Sequence, residues 1–235
     1  NQLFPAGWGL VVVRFKEELL PQINRRLLPS SSVSKSSTAV IDYRLAMDLL
    51  IDYFNPTYCD IITELYGPVI LHSSAFAAFS DTSSKTKKEL QEYSLGATVT
   101  SNNTGELCAM GEAFMWLKES YGMLAQVYKP RLCFVMYDSE YAAKSVSGEF
   151  NGPKNRLLIN TIRGHYSEIN SMMMRDHVDP NPNPSNTSAI GVHFYHVKAH
   201  AGYYFNESAD RLANLGAAGQ VCLEGRYSRL IEKPT

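Results

Sequence analysis

The stretch His193-Phe-Tyr-His-Val-Lys-Ala-His-Ala-Gly-Tyr-Tyr-Phe-Asn-Glu-Ser-Ala-Asp-Arg-Leu-Ala-Asn-Leu-Gly216 decides how this chain folds. Its opening is rich in Val, Phe and Tyr, with Val192, Phe194 and Val197 as apolar members, and predicts a strand. Lys198-Ala-His-Ala-Gly202 then breaks the run as a turn. Asn206 stands where a helix N-cap belongs, and Ala209, Leu212, Ala213 and Leu215 follow at helical spacing. His200 is therefore expected on a loop, Asn206 and Glu207 at a helix start, and Asp210 one turn in. An imidazole, an amide and a carboxylate at a strand–loop–helix corner are the parts of a polar reaction site. A capped helix beside a surface histidine is the plain alternative, and this stretch alone leaves both open.

Working outward, residues 106–121 carry Leu107, Met110, Phe114, Leu117 and Tyr121 in steps of three or four, the pattern of an amphipathic helix. Glu106 falls in its first turn, on the side facing the sheet end. Residues 131–137 form a nearly continuous apolar run, which predicts a strand buried on both faces, and Asp138 follows directly. Open α/β sheets bind their ligands at such strand ends. Residues 139–147 suit a short helix, and 155–173 a longer one with Leu158, Ile162, Tyr166 and Ile169 on one side. Gly7-Trp-Gly9 leads into a strand over 10–15, and residues 92–100 alternate loosely as another. Between 16 and 87 lie a Ser-rich linker at 29–37, a helical pattern at 41–53 ended by Asn55-Pro56, and a short strand within 69–79. Residues 179–186, with three prolines, predict a loop, and the three methionines at 172–174 predict core filler.

The chain has 235 residues, enough for one domain with a sizeable insertion. Hydrophobic residues at 45% and charged residues at 19% support a real core and exclude a disordered chain. No apolar run reaches the about 18–20 residues that span a bilayer, so no membrane segment is expected. The four cysteines have no metal-ligand spacing and read as buried thiols, which places the chain in a reducing, intracellular compartment. Net charge is −1, so the composition offers no basic excess for tight, sequence-independent nucleic-acid binding. Lys85-Thr-Lys-Lys88, Arg25-Arg26 and Lys154-Asn-Arg156 read as solvated surface.

Three of these stretches together resemble the ribonuclease H family. Val197-Lys-Ala-His200-Ala-Gly202, Asn206-Glu207 and Ala209-Asp210-Arg-Leu-Ala213 resemble its last strand and helix, with one Ala in place of Gly. Thr100-Ser-Asn-Asn-Thr-Gly-Glu106-Leu resembles the segment that opens its first helix, and Tyr137-Asp138-Ser139-Glu-Tyr141 the end of a central strand. The resemblance covers residues 1–15 and 88–219. It implies a mixed five-stranded sheet flanked by helices, spanning 1–219 around an insertion at about 16–87, with 220–235 as a tail. The insertion is expected to have no counterpart in the family, and a protein-partner role for it is a working hypothesis.

What the resemblance implies chemically is hydrolysis of the RNA strand of RNA/DNA hybrids, using two Mg²⁺ ions (or Mn²⁺) held by clustered carboxylates. Glu106, Asp138 and Asp210 are the implied metal ligands, and His200 assists proton transfer around the leaving group. Asn102, Asn103, Ser139 and Asn206 are the implied substrate contacts, Asn103 reading the minor groove where the 2′-hydroxyl is exposed. The basic protrusion of some members has no equivalent in the short, nearly neutral 148–154. The family's fourth carboxylate, an Asp on its first strand, has three candidate fates here: upstream of Asn1, replaced by Asp81 in Phe79-Ser-Asp81-Thr, or absent. The competing expectation is a catalytically impaired domain serving a structural or RNA-binding role in a larger ribonucleoprotein assembly.

Overall fold

The computed structural model describes residues 6–27, 47–72, 91–127, 132–177 and 190–222, together with Glu224 and Arg226. The linker at 29–37, the first half of the 41–53 pattern, the basic run at 85–88, Asp81 and the 179–186 loop lie outside these residues. In chain order the main elements are β1 (Gly7–Phe15), α1 (Leu20–Leu27), β2 (Cys59–Pro68), α2 (Asn102–Val127), β3 (Leu132–Tyr137), α3 (Glu140–Ser147), α4 (Arg156–Asp176), β4 (Gly191–His196) and α5 (Tyr204–Ala217). Short 3-10 turns occur at Glu17–Leu19 and Ile51–Tyr53.

The strands form two pairs. β1 and β2 run antiparallel from Gly7↔Pro68 to Phe15↔Cys59, whereas β3 and β4 run parallel from Leu132↔Gly191 to Tyr137↔His196. The mixture of senses agrees with the expected α/β architecture, and the described residues hold four strands in two separate pairs. β2 lies inside the stretch read as an insertion, yet it pairs with β1 along its whole length. Its alternation is disguised by a bulge: Val12 faces Thr63 and Val13 faces Ile61, so Ile62 is an extra residue. Residues 92–100 form no strand. Gly96 takes φ +103°, and only Ala97 makes a bridge, to Leu71.

Alternation along the strands sorts the core into two layers. Trp8, Leu10, Val12, Cys133, Val135, Tyr137 and Phe194 point toward α2, α3 and α4 and build the main core with Leu107, Phe114, Leu158 and Ile162. On the opposite face α5 lies directly on β1 and β2 over glycines. A Cβ on Gly9 would sit 2.4 Å from the Ala209 carbonyl oxygen, and one on Gly216 would sit 2.1 Å from the Gly67 carbonyl oxygen. No side chain fits between backbones that close. Farther along that same face, Phe15, Phe134, Met136 and Tyr195 pack with Ile23, Met47 and Leu50 in a smaller second core.

Beyond α5 the chain straps back over the molecule. Cys222 N–H donates to the Tyr66 carbonyl (3.0 Å), Thr63 Oγ1 donates to Glu224 (2.7 Å), and Arg226 reaches Glu112 and the Tyr93 carbonyl. Glu112 is only 5% exposed, so this ion pair neutralises a buried charge. Cys59, Cys108 and Cys222 are buried and Cys133 half-buried, all four as thiols, and burial pushes each of them above the ordinary thiol range. Met173 fills the core while Met174 is exposed, so only part of the methionine run packs as expected.

Candidate active site

α2 begins at a reciprocal cap. Thr104 N–H donates to Ser101 Oγ (3.2 Å), and Ser101 N–H donates to Thr104 Oγ1 (2.8 Å). This start leaves Asn102 and Asn103 exposed on the first turn and sets Glu106 at the beginning of the second, one residue on from Gly105. Gly105 rests against β1, where a Cβ would meet the Gly7 carbonyl oxygen at 2.4 Å. The first strand, in effect, fixes the height of Glu106.

Asp138 follows the last residue of β3, and Ser139 caps α3 by accepting the Ala142 N–H (3.4 Å). The Ser139 hydroxyl expected to contact substrate therefore has a structural task. β4 is held in register by α4, whose Asn170 side-chain oxygen accepts the Val192 N–H (2.8 Å) while Tyr166 Oη donates to the Val192 carbonyl (3.2 Å). After β4 the chain turns through His200, which takes φ +51°, and Gly202, at φ +82°. Histidine tolerates the left-handed region better than most side chains.

α5 starts at Tyr204 with Tyr203 as its N-cap, which corrects the expectation that Asn206 caps it. Asn206 lies inside the first turn, and its amide donates to Asp138 Oδ2 (3.1 Å). Asp210, one turn later, faces the same place. Its Oδ2 is buried without a hydrogen-bond partner and lies 3.4 Å from His200 Nδ1, near enough for attraction to an imidazolium but poorly aligned.

Three elements thus bring Glu106, Asp138 and Asp210 into one electrostatic neighbourhood. Burial pushes the Glu106 carboxyl up to about 7, and repulsion from Asp138 and then Asp210 adds to it. Burial also raises Asp210, with Asp138 pushing the same way and His200 opposing. Carboxylates crowded this way stay ionised together only if cations neutralise them. An all-oxygen donor set and an unpartnered buried oxygen suit a hard divalent cation. Sequence reasoning passed over Glu207 as a site residue. Its side chain accepts the Gly202 N–H (3.4 Å), and His200, Glu207 and Asp210 offer ligand atoms within 4.8 Å of one another. The three-residue step from Glu207 to Asp210 puts both on one helix face and was the available signal.

A family model described as RNase H matches residues 72–218, more than half of the chain. The chain belongs to the ribonuclease H family. The match reaches into the stretch read as foreign, at 72–87, and takes in Glu106, Asp138, His200, Asn206 and Asp210. Neither the curated proteins nor the solved structures give a match. Ribonuclease H membership supports a ribonuclease acting on RNA/DNA hybrids, in a family that uses divalent metal ions. Among the described residues, no helix is long and apolar enough to cross a membrane.

Proposed function

We propose that this domain is a metal-dependent endonuclease that hydrolyses the RNA strand of RNA/DNA hybrids. One observation carries the reading: Glu106, Asp138 and Asp210, from two helices and a strand end, come near enough to repel one another, and this repulsion adds to the burial that lifts Glu106 to about 7. These three carboxylates are the residues that would hold a pair of Mg²⁺ or Mn²⁺ ions. Such a pair, when bound, stabilises the attacking and departing oxygens of an in-line displacement at phosphorus.

The remaining side chains serve that centre. Asn206 fixes the orientation of Asp138 by donating to one of its oxygens. His200, exposed on its loop beside Asp210, moves a proton around the departing oxygen. Glu207 pins the same loop through Gly202. Asn102 and Asn103, exposed at the start of α2, are offered to the hybrid's minor groove, where the 2′-hydroxyl distinguishes RNA from DNA.

The test is cleavage of a labelled RNA/DNA hybrid with and without Mg²⁺. Cutting that requires the ion and disappears in Asp138→Asn is the expected result. An intact chain that binds the hybrid but leaves it whole at every Mg²⁺ and Mn²⁺ concentration refutes the nuclease and leaves a structural, nucleic-acid-binding domain in its place.

A further inference from the structure

Among the described residues α5 covers the outer face of the β1–β2 pair, so the β3–β4 pair needs another cover. β3 is apolar at every position, and alternation turns Phe134 and Met136 to that outer face just ahead of Asp138. The neighbouring position on β4, Tyr195, turns the same way just ahead of the His200 loop. Residues that precede the family match fill the space: Met47 and Leu50 are 0% and 1% exposed, and Ile23 of α1 joins them. Phe54 closes one edge against Phe15, with ring centroids 4.7 Å apart. At the rim, Tyr195 Oη donates to Asp48 Oδ1 at 2.6 Å, a bond across 147 positions of sequence.

We propose that the segment 47–54, with α1, is a positioning element for the acidic site. It backs the two strands that carry Asp138 and the His200 loop, and it latches β4 through Tyr195 and Asp48. Packing restrains the outward displacement of β3, while the latch restrains the end of β4, where Val197 N–H donates to the Tyr137 carbonyl (2.8 Å) and the chain then turns to His200. Tyr195 and Asp48 are positioning residues, since they act through the strand and not on the substrate.

Because the catalytic part of this inference rests on the proposed nuclease, the experiment pairs activity with a readout that needs none. Amide hydrogen exchange is measured on the full chain for Tyr195→Phe, Asp48→Ala and Asp48→Asn. Loss of a hydrogen bond to a charged acceptor predicts exchange at residues 195–200 faster by about tenfold in the first two variants. Asp48→Asn keeps the acceptor oxygen and is expected to stay near wild type. On the hybrid, kcat falls several-fold in Tyr195→Phe and Asp48→Ala with KM unchanged. Exchange at 195–200 that is unaltered, or that accelerates evenly over the whole molecule, overturns the proposal. If exchange responds locally while the wild type cuts no hybrid, the positioning element stands and the nuclease falls.

Discussion

Removing one negative charge from the acidic site should stabilise the metal-free protein. The perturbation is Glu106→Gln, nearly isosteric and uncharged. In the folded chain the Glu106 carboxyl is lifted from 4.5 to about 7 by burial first and by Asp138 and Asp210 next. Between these values the native state holds a proton that the unfolded chain has released, so stability falls as pH rises from 4.5 through 7. Above pH 7 the whole penalty is present, and at about 1.4 kcal/mol per pH unit it is on the order of 3 kcal/mol. For a chain of this size that corresponds to a Tm higher by about 6–12 °C for Glu106→Gln at pH 8 in a chelating buffer. At pH 5 most of the gain vanishes, because wild-type Glu106 is then largely protonated when folded. Millimolar Mg²⁺ should reverse the order, raising the wild-type Tm while leaving the variant's almost unchanged. Thermal unfolding at both pH values, with chelator and with Mg²⁺, is the assay. A variant no more stable than wild type at pH 8 without metal, or a gain of equal size at pH 5, refutes the electrostatic account of the site.

Three other outcomes follow from the packing. Arg226→Ala strands the buried Glu112 carboxylate and should cost about 3–5 kcal/mol in urea unfolding, whereas a Glu112→Gln background should recover much of the loss. Gly9→Ala drives a methyl into the Ala209 carbonyl, and since α5 must lift off β1 to admit it, a loss of about 1–3 kcal/mol or more is expected in the same measurement. His165 lies against Lys118 and Glu168, and burial together with Lys118 holds its imidazole below the usual 6.5. The folded state therefore resists protonation. Its contribution is complete above pH 6.5 and is lost as pH falls below that value, so His165→Gln should flatten the acid side of a Tm-against-pH profile.

The parts legible in the sequence are those where pattern and geometry share one period. The α2 stripe of Leu107, Met110, Phe114 and Tyr121 is buried as spaced, and the apolar run before Asp138 is a strand between two packed layers. β2 was hidden because Ile61 and Ile62 break the alternation at the bulge, and a reader of period two loses phase there. The start of α5 was misplaced for a different reason. Asn206 is a residue type that caps helices, but here its amide is committed to Asp138, so a local preference yields to the site. The Tyr195–Asp48 bond joins residues too far apart for any local pattern to reveal.

The strap that follows α5 affects more than the ion pair at its end. β2 has one neighbour among the described strands, and an uncovered strand rim invites pairing with another molecule. Here the Tyr66 carbonyl on that rim is already taken by the Cys222 amide, and Glu224 sits beside it on Thr63. Sheet growth by a visiting chain is blocked at that point by the protein's own backbone. Trimming the polypeptide after Gln220 would uncover an adhesive border, and self-association would then rise along with the loss of stability.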